Sequence, residues 1–231
     1  MSNYKILFKY ASRSRNQRFF EGLDNILTNL GDLNNFCILC SLDSDDLEMN
    51  NPESIKRLSE YVKKYPNKIV IKFGLSQSKV DAINRDVNEF KHRFDFDILV
   101  NFSDDMRFLV HSFDNIIRNK FNYNCPSLDG NLHFNDGFVG DGLSTLSIIG
   151  RKYYDQYNYI YHPSYYSLWC DNEYTIVAKK QNKLWYFDEK IFVHNHPSNI
   201  GGMIDAQLMK TESYSEQDRK NFDKRLSNNF Q

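Results

Sequence analysis

The sequence predicts an α/β fold with a mostly parallel central sheet flanked by helices. In the first half of its 231 residues, short apolar runs alternate with segments whose apolar residues recur at helical spacing. This alternation implies right-handed crossovers between parallel strands. Ligands of such sheets bind beyond the carboxyl ends of the strands. The polar stretches at 11–17, 41–48, 74–79 and 101–105 are expected to meet there.

The elements of the first half follow from apolar spacing. Strands are predicted at 4–10, 35–41, 68–73 and 96–102. The first helix carries Phe19, Leu23, Ile26, Leu27 and Leu30 on one face, the second begins at Asn51 with Pro52 in its first turn, and a third carries Val80 to Phe90. Ser103 or Asp104 could cap a fourth helix that carries Phe108 and Phe113.

The second half changes character. Residues 122–167 are rich in Tyr, Asn, Asp and Gly, a helix is expected to begin near Asp171, and "LWYF" and "IFVHNHP" are expected to form short strands. From about Ile204 the chain is polar and charged, which indicates a surface helix that frays. We therefore expect one domain over 1–203, with halves 1–105 and 106–203, followed by a tail at 204–231.

Composition narrows the class of protein. Hydrophobic residues make up 41% and aromatic residues 15% of the chain, which is typical of a packed globular protein. The net charge of -1 disfavours a protein that wraps nucleic acid. No signal segment and no apolar run of membrane-spanning length is present, so a cytoplasmic location is expected. Cys37 and Cys40 lie three apart in a strand and face opposite sides, so buried thiols are expected rather than a zinc site.

Three groups of residues could carry chemistry. Asp104 and Asp105 follow the fourth strand, where either helix capping or a divalent cation would make adjacent carboxylates tolerable. Asp171 and Glu173 lie at a predicted helix start, where acids commonly complement the helix dipole. His194 and His196 form an HxH pair, a metal signal, although a structural role is the commoner one for each histidine alone.

Taken in order, these features resemble the GT-A nucleotide-sugar glycosyltransferases, in particular the inverting family 2 group, over Lys5 to Pro197. "FKYASRSR" is similar to the loop beneath the nucleobase, "SLDSDD" to the acidic turn at the base or ribose, and "SKVDAINRD" to the segment beside the diphosphate. The resemblance implies donor contacts from Tyr10, Ser12, Arg13, Arg15, Asp43, Asp45, Lys79, Arg85, Ser103 and Asp104.

The resemblance also implies a metal and a base. "VNFSDDM" matches the DxD position, with Asp105 as the ligand of Mn²⁺ or Mg²⁺ and with help from His194 or His196 because Ser103 stands where many members have the first Asp. "WCDNE" implies Asp171 as catalytic base, with Glu173 as the runner-up. Acceptor contacts would come from Asp136, which is also an ordinary turn residue, and from Trp169.

The expected activity is therefore metal-dependent sugar transfer, with inversion, from a UDP-linked donor to an acceptor hydroxyl. Carbohydrate, lipid-linked sugar, protein and modified-DNA acceptors remain open, as does the oligomeric state. A metal-dependent phosphoesterase or nuclease and an inactive nucleotide-sugar-binding protein are the alternatives. A dinucleotide oxidoreductase is disfavoured because no GxGxxG follows the first strand.

Overall fold

A seven-stranded sheet forms the centre of the computed structural model, which describes residues 3–197, 201 and 205–231. In chain order the strands are β1 (Ile6–Ser12), β2 (Phe36–Asp43), β3 (Ile69–Gly74), β4 (Ile98–Phe102), β5 (Met106–Phe108), β6 (Asn131–Phe134), β7 (Ser147–Gly150), β8 (Leu184–Phe187) and β9 (Phe192–His194). The order across the large sheet is β3-β2-β1-β4-β7-β6-β8, and β5 and β9 form a separate pair. Only β7 runs antiparallel to its neighbours in the large sheet, so the mostly parallel sheet is confirmed.

Helices cover both faces of this sheet. They are α1 (Asn16–Asn29), α2 (Pro52–Lys64), α3 (Lys79–Asn84), α4 (Val87–Phe90), α5 (Phe113–Asn124), α6 (Arg151–Tyr157), α7 (Cys170–Lys180), α8 (Ala206–Glu212) and α9 (Ser215–Ser227). Apolar residues of α1, α2 and α5 pack on one face, and those of α3, α4, α6 and α7 pack on the other. Within the described ranges, no helix is long and apolar enough to cross a membrane.

Strand β2, which lies between β3 and β1, is buried along its whole length. Its near-continuous apolar sequence suits a strand that is covered on both faces. Cys40 packs in the cluster on the α1 side and Cys37 in the cluster on the α3 side. All four cysteines are free and buried, which confirms the expectation of structural thiols.

Two helix predictions need correction. The segment 80–90 forms two short helices because Asp86 between them has φ +74°, a left-handed conformation that interrupts an α-helix. The segment after β4 does not begin a helix at Ser103 or Asp104. Residues 106–108 instead form β5, whose backbone groups pair with β9, and the next helix begins only at Phe113.

The C-terminal segment is helical, as expected, but its second helix packs into the structure instead of fraying. Asp218 and Phe222 of α9 are buried, and Phe222 joins the apolar cluster that contains α7. The predicted boundary between residues 203 and 204 lies outside the described residues.

Candidate functional site

The carboxyl ends of the four parallel strands bring the predicted donor residues to one edge of the sheet. In the register of these strands, Ser12 pairs with Leu42, and Tyr10 with Phe102. Asp43 at the end of β2 pairs with Gly74 at the end of β3. Each strand therefore delivers its following loop to the same place, the usual ligand position in an open α/β sheet.

Asp104, the first of the adjacent carboxylates after β4, is held by the loop that follows β1. Ser12 Oγ donates to Asp104 Oδ2 at 2.6 Å, and an Arg15 nitrogen lies 3.1 Å from Asp104 Oδ1. Burial raises the pKa of Asp104; Arg15 opposes this rise and the charge of Asp105 adds to it. Asp104 thus joins the loop after β1 to the end of β4.

Asp105 has different partners. It accepts a hydrogen bond from the Ser103 hydroxyl, and its Oδ2 lies 3.4 Å from His194 Nε2. Burial acts to raise the pKa of Asp105, but the hydrogen bond and charge of His194, together with Lys79, outweigh burial and lower it well below its ordinary value. The two adjacent carboxylates are tolerated because each has its own partners. Asp105 is the one that faces a histidine, a side chain that commonly binds metals.

Backbone pairing fixes the distance between Asp105 and His194. Met106 of β5 pairs with His194 of β9, and the Asn195 N–H donates to the Asp105 carbonyl at 2.8 Å. The ring of His196 lies 5.7 Å from that of His194, centroid to centroid. The β5–β9 pair therefore carries both histidines of the HxH motif to the end of β4.

Asp105 and His194 fit a cation that is coordinated partly by the protein and partly by a substrate. Asp105 and His194 offer a carboxylate and an imidazole, a donor set that suits Mn²⁺. No group of three or more His, Cys, Asp or Glu side chains could hold a metal ion in the part of the chain that the structure describes. A closed structural site of the zinc type is thus not built from those residues, whereas a site completed by phosphate oxygens would be compatible with them.

Two arginines hold the acids after β2. Arg13 Nη1 lies 2.9 Å from Asp43 Oδ2 and 2.6 Å from Asp45 Oδ1, and Arg85 Nη1 lies 3.1 Å from Asp43 Oδ1. Arg85 also donates to the Leu42 carbonyl at 2.8 Å. Asp43 is therefore bonded on both oxygens, and Arg85 is built into the floor of the site rather than projecting from it.

A buried lysine lies under this floor. Lys9 is fully buried in β1 and bonds the Ser41 hydroxyl, which in turn donates to Asp86 Oδ2 at 2.6 Å. Burial lowers the pKa of Lys9 to about 7, against the opposing charge of Asp86. The left-handed backbone at Asp86 brings its carboxylate to this position. Lys9 was not among the predicted site residues, although a lysine within the apolar run "ILFKY" is a sequence signal for such a group.

Asp171 lies at the start of α7. Its Oδ1 accepts the backbone N–H of Asn172 at 3.0 Å. Burial raises the pKa of Asp171, and the nearby Lys79 and His194 oppose that rise. The same two side chains act on Asp105. The candidate base and the candidate metal ligand therefore both lie near Lys79 and His194, and we call the region around these two side chains the common centre.

Glu173, the runner-up for the base, belongs to a different cluster. Arg225 of α9 donates to both Glu173 oxygens, at 2.7 and 2.8 Å, and the Tyr165 hydroxyl donates to Glu173 Oε2 at 2.8 Å. Glu173 is buried with these partners. Its carboxylate is fully engaged in joining two helices.

Three other predicted contact residues use their side chains within the protein. Tyr10 is fully buried, and its hydroxyl donates to a carbonyl of α1 at 3.0 Å. Asp136 accepts two backbone N–H groups of its own turn, both at 2.9 Å. Trp169 packs on Phe222, with ring centroids 5.3 Å apart. Ligand contacts from these three residues remain predictions.

Two acids of the C-terminal segment were also absent from the predicted residues. Asp205 lies 2.9 Å from Arg15, the arginine that also contacts Asp104, and Asp218 is fully buried beside residues 166–168. Both lie in the polar C-terminal stretch, where an acid that meets a distant residue looks the same in sequence as a solvated acid.

The structure is similar to solved structures of glycosyltransferases. A mannosyltransferase, PcManGT from Pyrobaculum calidifontis in complex with GDP-Man and Mn²⁺, matches with a TM-score of 0.66 and 10% identity over 93% of this chain and 70% of that chain. S. aureus TarS 1–349 in complex with UDP-GlcNAc matches with a TM-score of 0.59 and 10% identity over 90% of this chain and 64% of that chain. This chain therefore spans roughly two thirds of their length.

A cytidylyltransferase from Leptospira borgpetersenii also matches, with a TM-score of 0.52 and 11% identity over 94% of this chain and 96% of that chain. No protein-family model and no curated protein matches the sequence. The similarity is therefore one of fold, and it bears out the resemblance inferred from the motifs. The chain has the α/β architecture of the GT-A fold, and GT-A glycosyltransferases match it over most of its length.

Proposed function

We propose that this protein transfers a sugar from a nucleotide-sugar donor to an acceptor hydroxyl. The observation that carries the proposal is the common centre, where His194 lies 3.4 Å from Asp105 and where Lys79 and His194 are near enough to influence both Asp105 and Asp171. The centre lies at the carboxyl edge of the sheet, where ligands of α/β folds bind. The similarity to glycosyltransferases supports the same activity.

The nucleotide would bind over the loops that follow β1 and β2. Arg13, Asp43 and Asp45 provide hydrogen-bond donors and acceptors there, and Asp45 is exposed. We expect a UDP-linked donor. The two similar glycosyltransferase structures contain GDP-Man and UDP-GlcNAc, so both nucleotides belong in the binding test.

Lys79 is the side chain we assign to the diphosphate. It is exposed at the start of α3, and within the described residues no hydrogen bond or ion pair uses its ammonium group. Arg85, the other predicted cation, is held by Asp43 and the Leu42 carbonyl. Of these two cations, Lys79 is therefore the one that could turn towards a phosphate without leaving a partner among the described residues.

Asp105 and His194 would hold Mn²⁺ or Mg²⁺. When bound, such an ion would neutralise the negative charge of the departing diphosphate. The protein would contribute a carboxylate and an imidazole, and the donor phosphates would complete the coordination. With Ser103 at the first DxD position, its hydroxyl orients Asp105 instead of adding a charge.

Asp171 would act as the general base. An acceptor hydroxyl becomes a good nucleophile only when its proton is removed during attack, and Asp171 would accept that proton. Its pKa is raised by burial, which brings the carboxylate nearer to the range suited to a base at neutral pH. Attack from the face opposite the diphosphate would invert the anomeric carbon.

The test combines donor binding with turnover. Melting temperature is measured with UDP-GlcNAc, UDP-glucose and GDP-mannose, each with and without Mn²⁺. A ligand at a hundredfold excess over its Kd stabilises the protein by about 2.7 kcal/mol. We expect at least one donor to raise the melting temperature in the presence of Mn²⁺ and to be slowly hydrolysed, with water in place of the acceptor.

Asp171→Asn is then expected to keep donor binding and to lower turnover by about 10² to 10⁴, the usual contribution of a general base. The matched control is Asp141→Asn, an exposed acid in the short 3₁₀ helix Gly140–Gly142. If no donor binds, or if the wild type releases phosphate from phosphoesters or cuts nucleic acid without a sugar donor, the transferase proposal is wrong. If Asp171→Asn turns over at the wild-type rate, only the base is misassigned.

A further inference from the structure

The buried carboxylate of Asp218 anchors a loop in the second half of the chain. Asp218 is 0% exposed, and it accepts the backbone N–H groups of three consecutive residues, Tyr166, Ser167 and Leu168, at 2.9, 2.7 and 2.9 Å. Hydrogen bonds to an ionised acceptor are about twice as strong as neutral ones. One side chain of α9 thus fixes the path of this loop.

The anchored loop leads directly into the helix that carries Asp171. Trp169, the residue that follows, has φ +65° and caps α7, which begins at Cys170. The Trp169 ring packs against Phe222, and Arg219 lies over it at 5.8 Å. Both ring contacts come from α9, so the start of α7 is held on that side by one helix.

A second anchor from the same helix follows Asp171. Arg225 donates to both oxygens of Glu173, two residues further along α7, and this pair is largely shielded from solvent. A bidentate arginine–carboxylate pair fixes orientation as well as distance. Two residues of α9 therefore hold the chain on either side of Asp171: Asp218 binds residues 166–168 before it, and Arg225 binds Glu173 after it.

The loop is also joined to the donor side. The Val80 N–H donates to the Tyr166 carbonyl at 3.1 Å, and Val80 follows Lys79 on α3. The residue whose N–H is fixed by Asp218 thus uses its carbonyl to contact the helix of the proposed diphosphate lysine. Through one peptide segment, α9 is connected to both sides of the common centre.

We propose that Asp218 is a positioning residue for Asp171, so that α9 sets the placement of the catalytic base against the donor. This inference rests on the proposed function, in which Asp171 is the base. A displacement of about 1 Å at a reacting group can lower a rate by about 10². Loss of the anchor is therefore expected to lower kcat by a larger factor than it raises the donor KM, because the loop leads directly into the helix of Asp171, whereas the nucleotide binds over the loops that follow β1 and β2.

The experiment measures Mn²⁺-dependent hydrolysis of UDP-GlcNAc and GDP-mannose by Asp218→Asn. Asparagine has the same shape, but its amide nitrogen would face a backbone N–H in place of an acceptor oxygen. We expect kcat to fall about tenfold or more and the donor KM to change by a clearly smaller factor. Asp223→Asn, an exposed acid on the same helix, is the matched control and should keep both wild-type values.

A second variant, Arg225→Lys, keeps the charge but loses the two parallel bonds to Glu173, and a smaller fall in kcat at constant KM is expected. It carries the test if Asp218→Asn loses its fold by circular dichroism. The inference is overturned if a folded Asp218→Asn, or Arg225→Lys in its place, has the wild-type kcat or raises KM as much as it lowers kcat. If the wild-type protein binds neither donor, the proposed function is wrong, and this inference, which depends on it, is wrong as well.

Discussion

Replacing Lys9 with methionine is expected to change how the stability of the protein depends on pH. Lys9 is fully buried, and its ammonium bonds Ser41 under the site. Burial lowers its pKa from the ordinary 10.5 to about 7; Asp86, Asp43 and Cys40 oppose this shift, and Arg85 adds to it. Methionine has a similar length and no charge, so the substitution removes the titration while filling much of the same space.

The sign follows from proton binding. Below pH 7 the folded and unfolded states both hold the proton, and the cost of burying the ammonium is fully present. Between pH 7 and 10.5 the unfolded chain keeps the proton while the folded protein has released it. Stability rises with pH wherever the unfolded state binds more protons. The cost of burying Lys9 is therefore relieved as the pH rises above 7.

The magnitude follows from the same two pKa values. Each pKa unit corresponds to about 1.36 kcal/mol, so the full shift is worth about 5 kcal/mol. Integrated from pH 7 to pH 9, the titration of Lys9 adds about 2 kcal/mol to the free energy of unfolding of the wild type. Lys9→Met lacks this contribution, and all other groups titrate in both proteins.

The assay is urea denaturation followed by circular dichroism at pH 7, 8 and 9. The difference in unfolding free energy, wild type minus Lys9→Met, should become more positive by about 2 kcal/mol across this range. Lys72→Met is the matched control: Lys72 lies on the outer strand β3 and pairs with Glu89, and its removal should keep the wild-type pH dependence. Parallel pH curves for wild type and Lys9→Met would refute the reasoning, because Lys9 would then hold its proton in the folded state.

Three further predictions concern the metal, the core and the nucleotide loop. Asp105→Asn should lower the apparent affinity for Mn²⁺ by about tenfold or more, because a ligand charge is lost. The affinity is read from the Mn²⁺ concentration that raises the melting temperature in the presence of UDP, and an unchanged Mn²⁺ titration would place the ion elsewhere. Phe113→Ala should cost about 3–5 kcal/mol in urea denaturation, since the ring is buried and stacked on Phe108; a loss under about 1 kcal/mol would contradict that packing. Arg13→Ala should change stability by less than about 1 kcal/mol, because Arg13 is partly exposed and the buried Asp43 keeps its pair with Arg85; a loss above about 2 kcal/mol would give the Arg13 pairs a larger structural role.

The parts of the site that adjacent residues encode could be predicted from the sequence. Apolar runs located the four parallel strands within about two residues, and the parallel arrangement alone placed Asp43 and Asp105 at the same edge. The helix that begins beside Asp171 was likewise predictable from its own residues. Each of these inferences depends on local periodicity and on one general rule for α/β sheets.

The parts that depend on distant contacts could not be predicted. β5 forms because residues 106–108 find a partner strand at 192–194, and three residues carry too little pattern to reveal a strand. Asp86 adopts a left-handed backbone, for which glycine is the usual sequence signal. An aspartate stands here instead, and its carboxylate accepts a hydrogen bond from Ser41. Asp218 cannot be told from a solvated acid by its sequence neighbours, because its partners are backbone N–H groups about fifty residues earlier in the chain.

The β5–β9 pair has a consequence for how the protein is made. Asp105 is synthesised long before His194, and the bonds between the two strands are what bring these side chains within 3.4 Å. During translation, the parallel strands of the first half are therefore made while Asp105 still lacks His194 as its neighbour. Only after the ribosome has released β9 can the Asp105 carboxylate gain its imidazole neighbour, so the proposed metal site is completed later than the parallel strands of the first half.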